Sequence, residues 1–187
     1  MSNLGRRICS VPDPHSGHLR GRRRRHDARA YIPRMPNNSA WRPILLGGFS
    51  AGLADFLFAS IKRATSGGAW SDPWKGVAGS LIGQAARDGG GEMVLLGAAL
   101  HFFICFAAAA MLYFIVRRVT WIPRQWLVLG VLYGLAFLVV MNWVVCPLSL
   151  IGHPIYKWEN MHVTAFWHIV LVGLPTAWFV SRSLRSA

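Results

Sequence analysis

Residues 93–116 read MVLLGAALHFFICFAAAAMLYFIV, 24 residues without a single Lys, Arg, Asp or Glu. A helix that crosses a bilayer needs about 20 consecutive, mainly apolar residues. This stretch is long enough, and residues 126–146, WLVLGVLYGLAFLVVMNWVVC, meet the same condition. Working outward, two further windows flank them: 43–61, PILLGGFSAGLADFLFASI, and 161–181, MHVTAFWHIVLVGLPTAWFVS. The first of these is the weakest, because Asp55 lies inside it. Four windows predict an all-α, polytopic membrane protein built as a four-helix bundle.

Composition agrees with that reading. The chain has 187 residues, 53% hydrophobic and only 14% charged, with a net charge of +13. A soluble domain carries about 25% charged residues. Too few charges remain to solvate a globular surface, which argues against a soluble enzyme, a disulfide-rich secreted module and a fully disordered chain.

The charges are also unevenly spread. Residues 1–42 hold ten Arg (Arg6, Arg7, Arg20, Arg22 to Arg25, Arg29, Arg34 and Arg42) against two acids, Asp13 and Asp27. The stretch has no hydrophobic period and is interrupted by Pro12, Pro14, Pro33 and Pro36. It buries too little apolar surface to offset ordering entropy, and so reads as a disordered cytoplasmic tail, 1–42, ahead of a transmembrane domain, 43–187. No apolar core follows the early arginines, so it is not a secretory signal peptide. Met35 is an alternative start for the chain. Beside a membrane domain the Arg22–Arg25 run meets anionic lipid more naturally than nucleic acid, and no base-reading motif is present.

Basic residues set the orientation. With the N-terminus inside, fifteen basic residues are cytoplasmic: the tail arginines, Arg117, Arg118, Arg124, Arg182 and Arg185. Five are outside: Lys62, Arg63, Lys75, Arg87 and Lys157. The positive-inside rule then predicts both termini in the cytoplasm. Trp41, Trp121, Trp126 and Trp178 fall near the inner boundary, and Trp70, Trp74 and Trp158 near the outer one, as an aromatic belt requires. In the first outer loop, Ser71-Asp72-Pro73 reads as a helix start, and the apolar spacing that follows ends at Gly89-Gly90-Gly91. This predicts a short amphipathic helix over about 74–87, too short to span, lying as a cover on the bundle.

Each span carries one strongly polar residue: Asp55, His101, Asn142 and His168. At about 1.5 Å rise per residue, all four fall roughly 6–12 Å below the outer helix ends. Ionisable groups at bilayer depth cost about 2.5–3.5 kcal/mol on insertion scales, so each is expected to face the bundle interior. Small residues share their faces: Gly48 and Gly52 with Asp55, Gly97 and Cys105 with His101, Thr164 with His168, and a GxxxG at Gly130 and Gly134. Small faces are packed faces in lipid, where the hydrophobic effect does not drive helix association.

Several readings of this layer stand side by side. One is an Asp–His–Asn hydrogen-bonded pin that sets packing and register. Another is a proton- or solute-binding site, since the charge state of a buried Asp beside a His responds to burial and partner. Haem held by His101 and His168 ranks behind both, and zinc behind that, because no zinc-ligand motif occurs. Cys9, Cys105 and Cys146 are an odd set at three different depths, which argues against a structural disulfide. His153, Glu159 and His162 cluster near the outer end of the fourth window and read as solvated loop residues. Asn37-Asn38-Ser39 matches a glycosylation sequon on the expected cytoplasmic side. No nucleophile elbow, phosphate loop or dinucleotide fingerprint is present, so no catalytic residue, cofactor or metal ligand is assigned.

The order LLGGFSAGLADFLFA, LGAALHFFI, VLYGLAFLVVMNWVVCPLS and FWHIVLVGLP, over residues 44–180, resembles a family of small four-helix bacterial inner-membrane proteins. The resemblance implies four spans and residence in a bacterial inner membrane. It brings no reaction, ligand or residue role. Two functional classes follow from the residues: a small transport or proton-coupled protein using the polar layer, and a non-catalytic membrane scaffold or accessory subunit in which the layer serves packing.

Overall fold

The computed structural model describes residues 40–118 and 125–185. The Arg-rich stretch up to residue 39, with Cys9 and the sequon, lies outside the described residues, as do Trp121 and Arg124. Span 1 is α1 (Trp41–Thr65) and span 2 is α4 (Gly91–Val116). Between them lie α2 (Asp72–Ile82) and α3 (Ala85–Asp88). Span 3 joins α5 (Trp126–Val140), a π turn (Met141–Val145) and α6 (Cys146–Leu148). Span 4 joins a 3₁₀ turn (Trp158–Asn160), α7 (Met161–Trp167), a π segment (His168–Gly173) and α8 (Leu174–Arg185). The four spans have 25, 26, 23 and 28 residues, and each is apolar enough to cross a membrane. No strand occurs among the described residues. The protein is an all-helical, multi-pass membrane protein.

The distribution of side chains is that of a bundle in lipid. Large apolar residues such as Leu95, Phe103, Leu127, Leu132 and Phe166 are exposed. The interior uses small ones: Ala51, Ala108, Ala109 and Ala177 are buried. Glycines allow the close approaches. A Cβ on Gly48 would stand 2.6 Å from the Phe106 ring and 3.0 Å from its Cα, so α1 lies directly on α4. A Cβ on Gly134 would stand 2.7 Å from Ile169 Cα, and one on Gly173 would collide with the Gly130 carbonyl. The GxxxG of span 3 therefore nests on the π segment of span 4.

Both π segments have the same local cause. Pro147 and Pro175 lack an N–H, and each proline ring clashes with the carbonyl four residues earlier. Those carbonyls belong to Trp143 and Leu171, inside the two π segments. Widening the turn there accommodates the proline and keeps the span continuous.

The amphipathic helix expected over 74–87 is two helices. Gly83, at φ +76°, breaks it. Such a φ is a left-handed conformation that favours glycine, and an α-helix cannot continue through it. Trp74 also departs from its expected place in an outer aromatic belt. It is 2% exposed, stacks on Phe56 at 4.0 Å and donates its indole N–H to Ser60 Oγ at 3.0 Å. Its carbonyl lies against Gly97, where any Cβ would collide with it. So α2 is wedged between spans 1 and 2, held there by an indole that finds both an apolar slot and a hydrogen-bond partner.

The hydrophobic core lies towards the end that carries Trp41, Val116 and Arg185. Ala108, Leu112, Tyr113, Val116, Tyr133, Val172, Ala177 and Val180 form it with Ala51. At that end Arg42, Arg117 and Arg182 lie over Trp41, Phe114 and Trp178. Such cation–aromatic pairs suit an interfacial belt.

Candidate functional site

The other half of the bundle, beneath α2 and the 149–157 loop, is hollow. A cavity of about 800 Å³ is lined by Asp55, His101, Asn142 and His168, together with Cys105 and Tyr156. One polar residue from each span reaches the same space, and none is turned to lipid. The hydrophobic core closes the cavity at its far end.

Each polar side chain is positioned differently. His101 Nε2 lies 3.0 Å from the Gly52 carbonyl and 4.0 Å from Asp55 Oδ2. A carbonyl only accepts, so Nε2 carries the proton and donates it across the α1–α4 contact. That contact is close because Gly52 has no side chain: a Cβ there would stand 2.9 Å from the Phe102 ring. Asp55, one turn further along α1, keeps its side chain 27% exposed, against 12% for His101. The carboxylate and imidazole form a loose pair at the cavity wall. His101 also packs between aromatic rings, 5.1 Å from Trp74 and 5.5 Å from Phe102.

His168 donates from Nδ1 to the Thr164 carbonyl, 2.9 Å away and one turn earlier. This leaves Nε2 as the free nitrogen of a cavity-lining ring. Each of the two histidines thus spends one ring nitrogen on a backbone carbonyl, Nε2 in His101 and Nδ1 in His168, and keeps the other. Among the described residues no three His, Cys, Asp or Glu side chains stand close enough to share a metal ion.

Asn142 does not belong to an Asp–His–Asn pin. It is 1% exposed, and its Oδ1 accepts the backbone N–H groups of Ile155 and Tyr156, both at 2.9 Å. Its Nδ2 donates to the Tyr156 carbonyl at 3.3 Å. All three bonds hold the 149–157 loop, which places the Tyr156 ring 5.8 Å from His168, edge to face. Sequence depth alone could not distinguish a side chain that reaches across the bundle from one that reaches up to a loop. The four residues thus share a cavity without forming one hydrogen-bonded chain.

Tyr156 and Trp74 are the site residues that sequence reasoning missed. Tyr156 sits in a loop with no periodicity to place it, and Trp74 carried the signature of an interfacial anchor. Although Tyr156 as a residue is 40% exposed, burial around its hydroxyl, and then the nearby Asp55 charge, push the phenol up to about 12. It is a neutral hydrogen-bond donor at any ordinary pH. In the core beyond the cavity, Tyr133 is buried and its hydroxyl has no partner.

Two contacts border the mouth. The Leu150 N–H donates to the Ser80 carbonyl at 3.0 Å, tying the 149–157 loop to α2. Arg63 Nε donates to Asp72 Oδ2 at 2.8 Å, tying α1 to the start of α2. That hydrogen bond holds the Asp72 carboxyl below the usual carboxylate range.

Fold and site together define a small polytopic helical membrane protein with a polar cavity in one half of its bundle. No family model, curated protein or solved structure matches the chain.

Proposed function

We propose that the protein is a small proton-coupled transporter of a bacterial inner membrane, with both termini in the cytoplasm and the cavity open to the outer side. The observation that carries this reading is the cavity that Asp55, His101 and His168 line together. A dry, fully paired layer would serve packing alone, whereas here a carboxylate and a free imidazole nitrogen border open space. Intramembrane carboxylate and histidine side chains facing a cavity are the usual parts of proton relays. The hydrophobic core fills the opposite half of the bundle, which supports access from the outer side in this conformation. The arginines of the tail add an electrostatic hold on anionic lipid.

In this mechanism a proton entering the cavity is taken up by Asp55 or by His168 Nε2. Protonation of Asp55 cancels the charge beside His101 and lowers the cost of exposing that wall to the low-dielectric core. The test is a proteoliposome loaded with a pH-sensitive dye and exposed in turn to organic anions, organic cations and neutral solutes. One class should drive proton movement above that of empty liposomes, and Asp55→Asn should abolish it while the protein keeps its helical content. If no class moves protons with folded protein present, the scaffold reading takes its place. Asn142 favours that alternative, since it spends all its bonds on fixing a loop.

A further inference from the structure

A second hollow of about 300 Å³ adjoins the main cavity and shares Asp55, Arg63, Tyr156 and His168 with it. Its other walls come from α1 and α7, including Phe58, Lys62, Thr164 and Trp167. α1 packs closely on the π segment and α8 of span 4. Nearer the mouth the two spans are bridged by the Phe58 and Trp167 rings, 4.3 Å apart. The second hollow therefore lies between spans 1 and 4, beside this ring pair.

The charges around both hollows are mostly positive. Four cations, Lys62, Arg63, Lys75 and Arg87, line them against two carboxylates, Asp55 and Asp72. Asp72 is already committed to Arg63 at 2.8 Å. Those four cations are also four of the five basic residues that run against the positive-inside trend. Lys62 lies over the Phe58 ring, its ammonium 5.9 Å from the centroid, beside the second hollow. The main cavity also has apolar walls, with Ile104, Phe137, Val145 and Val172 beside the polar side chains.

We propose that the cavity takes a membrane-borne organic anion, an aliphatic chain ending in a carboxylate or phosphate, which enters sideways between spans 1 and 4. This rests on the transport reading above and names the substrate class for it. The anionic head meets the cations at the mouth, where charge-assisted hydrogen bonds are available. The chain lies against the apolar walls and loses contact with water throughout. Arg87 and Lys75, which form no ion pair among the described residues, are the cations left to receive the head.

The test uses the full chain in zwitterionic nanodiscs and a dodecanoate carrying a photoreactive diazirine next to its carboxylate. Labelling should concentrate in residues 55–63 and 75–87 and be displaced by unlabelled dodecanoate. The variant Arg87→Gln should require about tenfold more competitor, the effect of losing one charge-assisted contact. Labelling spread over lipid-facing residues such as Phe103 and Leu132, with no displacement, would overturn the site. Equal displacement by dodecylammonium would overturn the anion preference, and equal displacement by water-soluble hexanoate would overturn sideways entry. Specific labelling without any proton movement in liposomes would remove the transport reading and leave the site. Proton movement without specific labelling would do the reverse.

Discussion

Gly97 and Gly76 make opposite demands on a methyl group. A Cβ on Gly97 would collide with the Trp74 carbonyl, whereas one on Gly76 meets nothing within 4 Å. Gly97→Ala should therefore cost about 1–3 kcal/mol, the usual range for overpacking a tight contact, and push α2 off α4. Gly76→Ala should be neutral or stabilise α2 by about 0.5–1 kcal/mol, because glycine is a poor residue within a helix. Thermal unfolding in detergent compares the two directly. If Gly97→Ala unfolds like the parent protein, Trp74 is not held as described. Asn142 makes a third residue-scale claim. Asn142→Ala leaves two backbone N–H groups of the 149–157 loop without their acceptor, at about 1–3 kcal/mol. The loop should then become cleavable by added protease near Tyr156 while the spans stay intact. An unchanged digestion pattern would mean the loop is held by other contacts.

At the scale of elements, α2 depends on its ties to α1 and to the 149–157 loop. The Arg63–Asp72 tie is exposed, with side chains 47% and 40% accessible, so its contribution is small and screened by salt. Its pH dependence nevertheless has a definite sign. The Asp72 pKa is depressed in the folded state. Its contribution is therefore present above the unfolded value of about 3.9 and is lost as pH falls through the lower folded value. A stability difference between the parent protein and Asp72→Asn should be visible near neutral pH and vanish in strong acid. A difference that persists unchanged at the lowest pH would assign it to the side chain's shape instead of its charge. The elements also show where sequence patterns stopped being informative. Apolar spacing across 74–87 marks a helix correctly in type, but it does not show that Gly83 divides it in two. A single glycine decides between continuing and breaking only through the tertiary contacts on either side of it. The π segments were hidden in the same way, since Pro147 and Pro175 announce a local problem without saying which turn absorbs it.

At the scale of the whole molecule, the uneven distribution of basic residues makes the strongest prediction. Reporter fusions at the N-terminus, after Arg118 and at Ala187 should report cytoplasm, and fusions near Gly68 and Pro154 the outer side. A C-terminus found outside would reverse the direction in which the cavity opens and would remove the outer-leaflet entry proposed for its ligand.

The number of spans, their approximate limits and the residues unfit for lipid were legible in the sequence, because each depends on transfer free energy along one helix. Asp55, His101, Asn142 and His168 stood out as groups that hydrocarbon does not tolerate. What the sequence left open was where each would find its partner, since that depends on distances between helices. Only the tertiary structure turned Asn142 towards a loop, joined His101 to the Gly52 carbonyl and left His168 with a free nitrogen. It also drew Trp74 into the bundle and left open space where a packed layer was one of the readings. Burial cost can be estimated one residue at a time; a cavity is a property of surfaces that fail to meet, and no single segment encodes it.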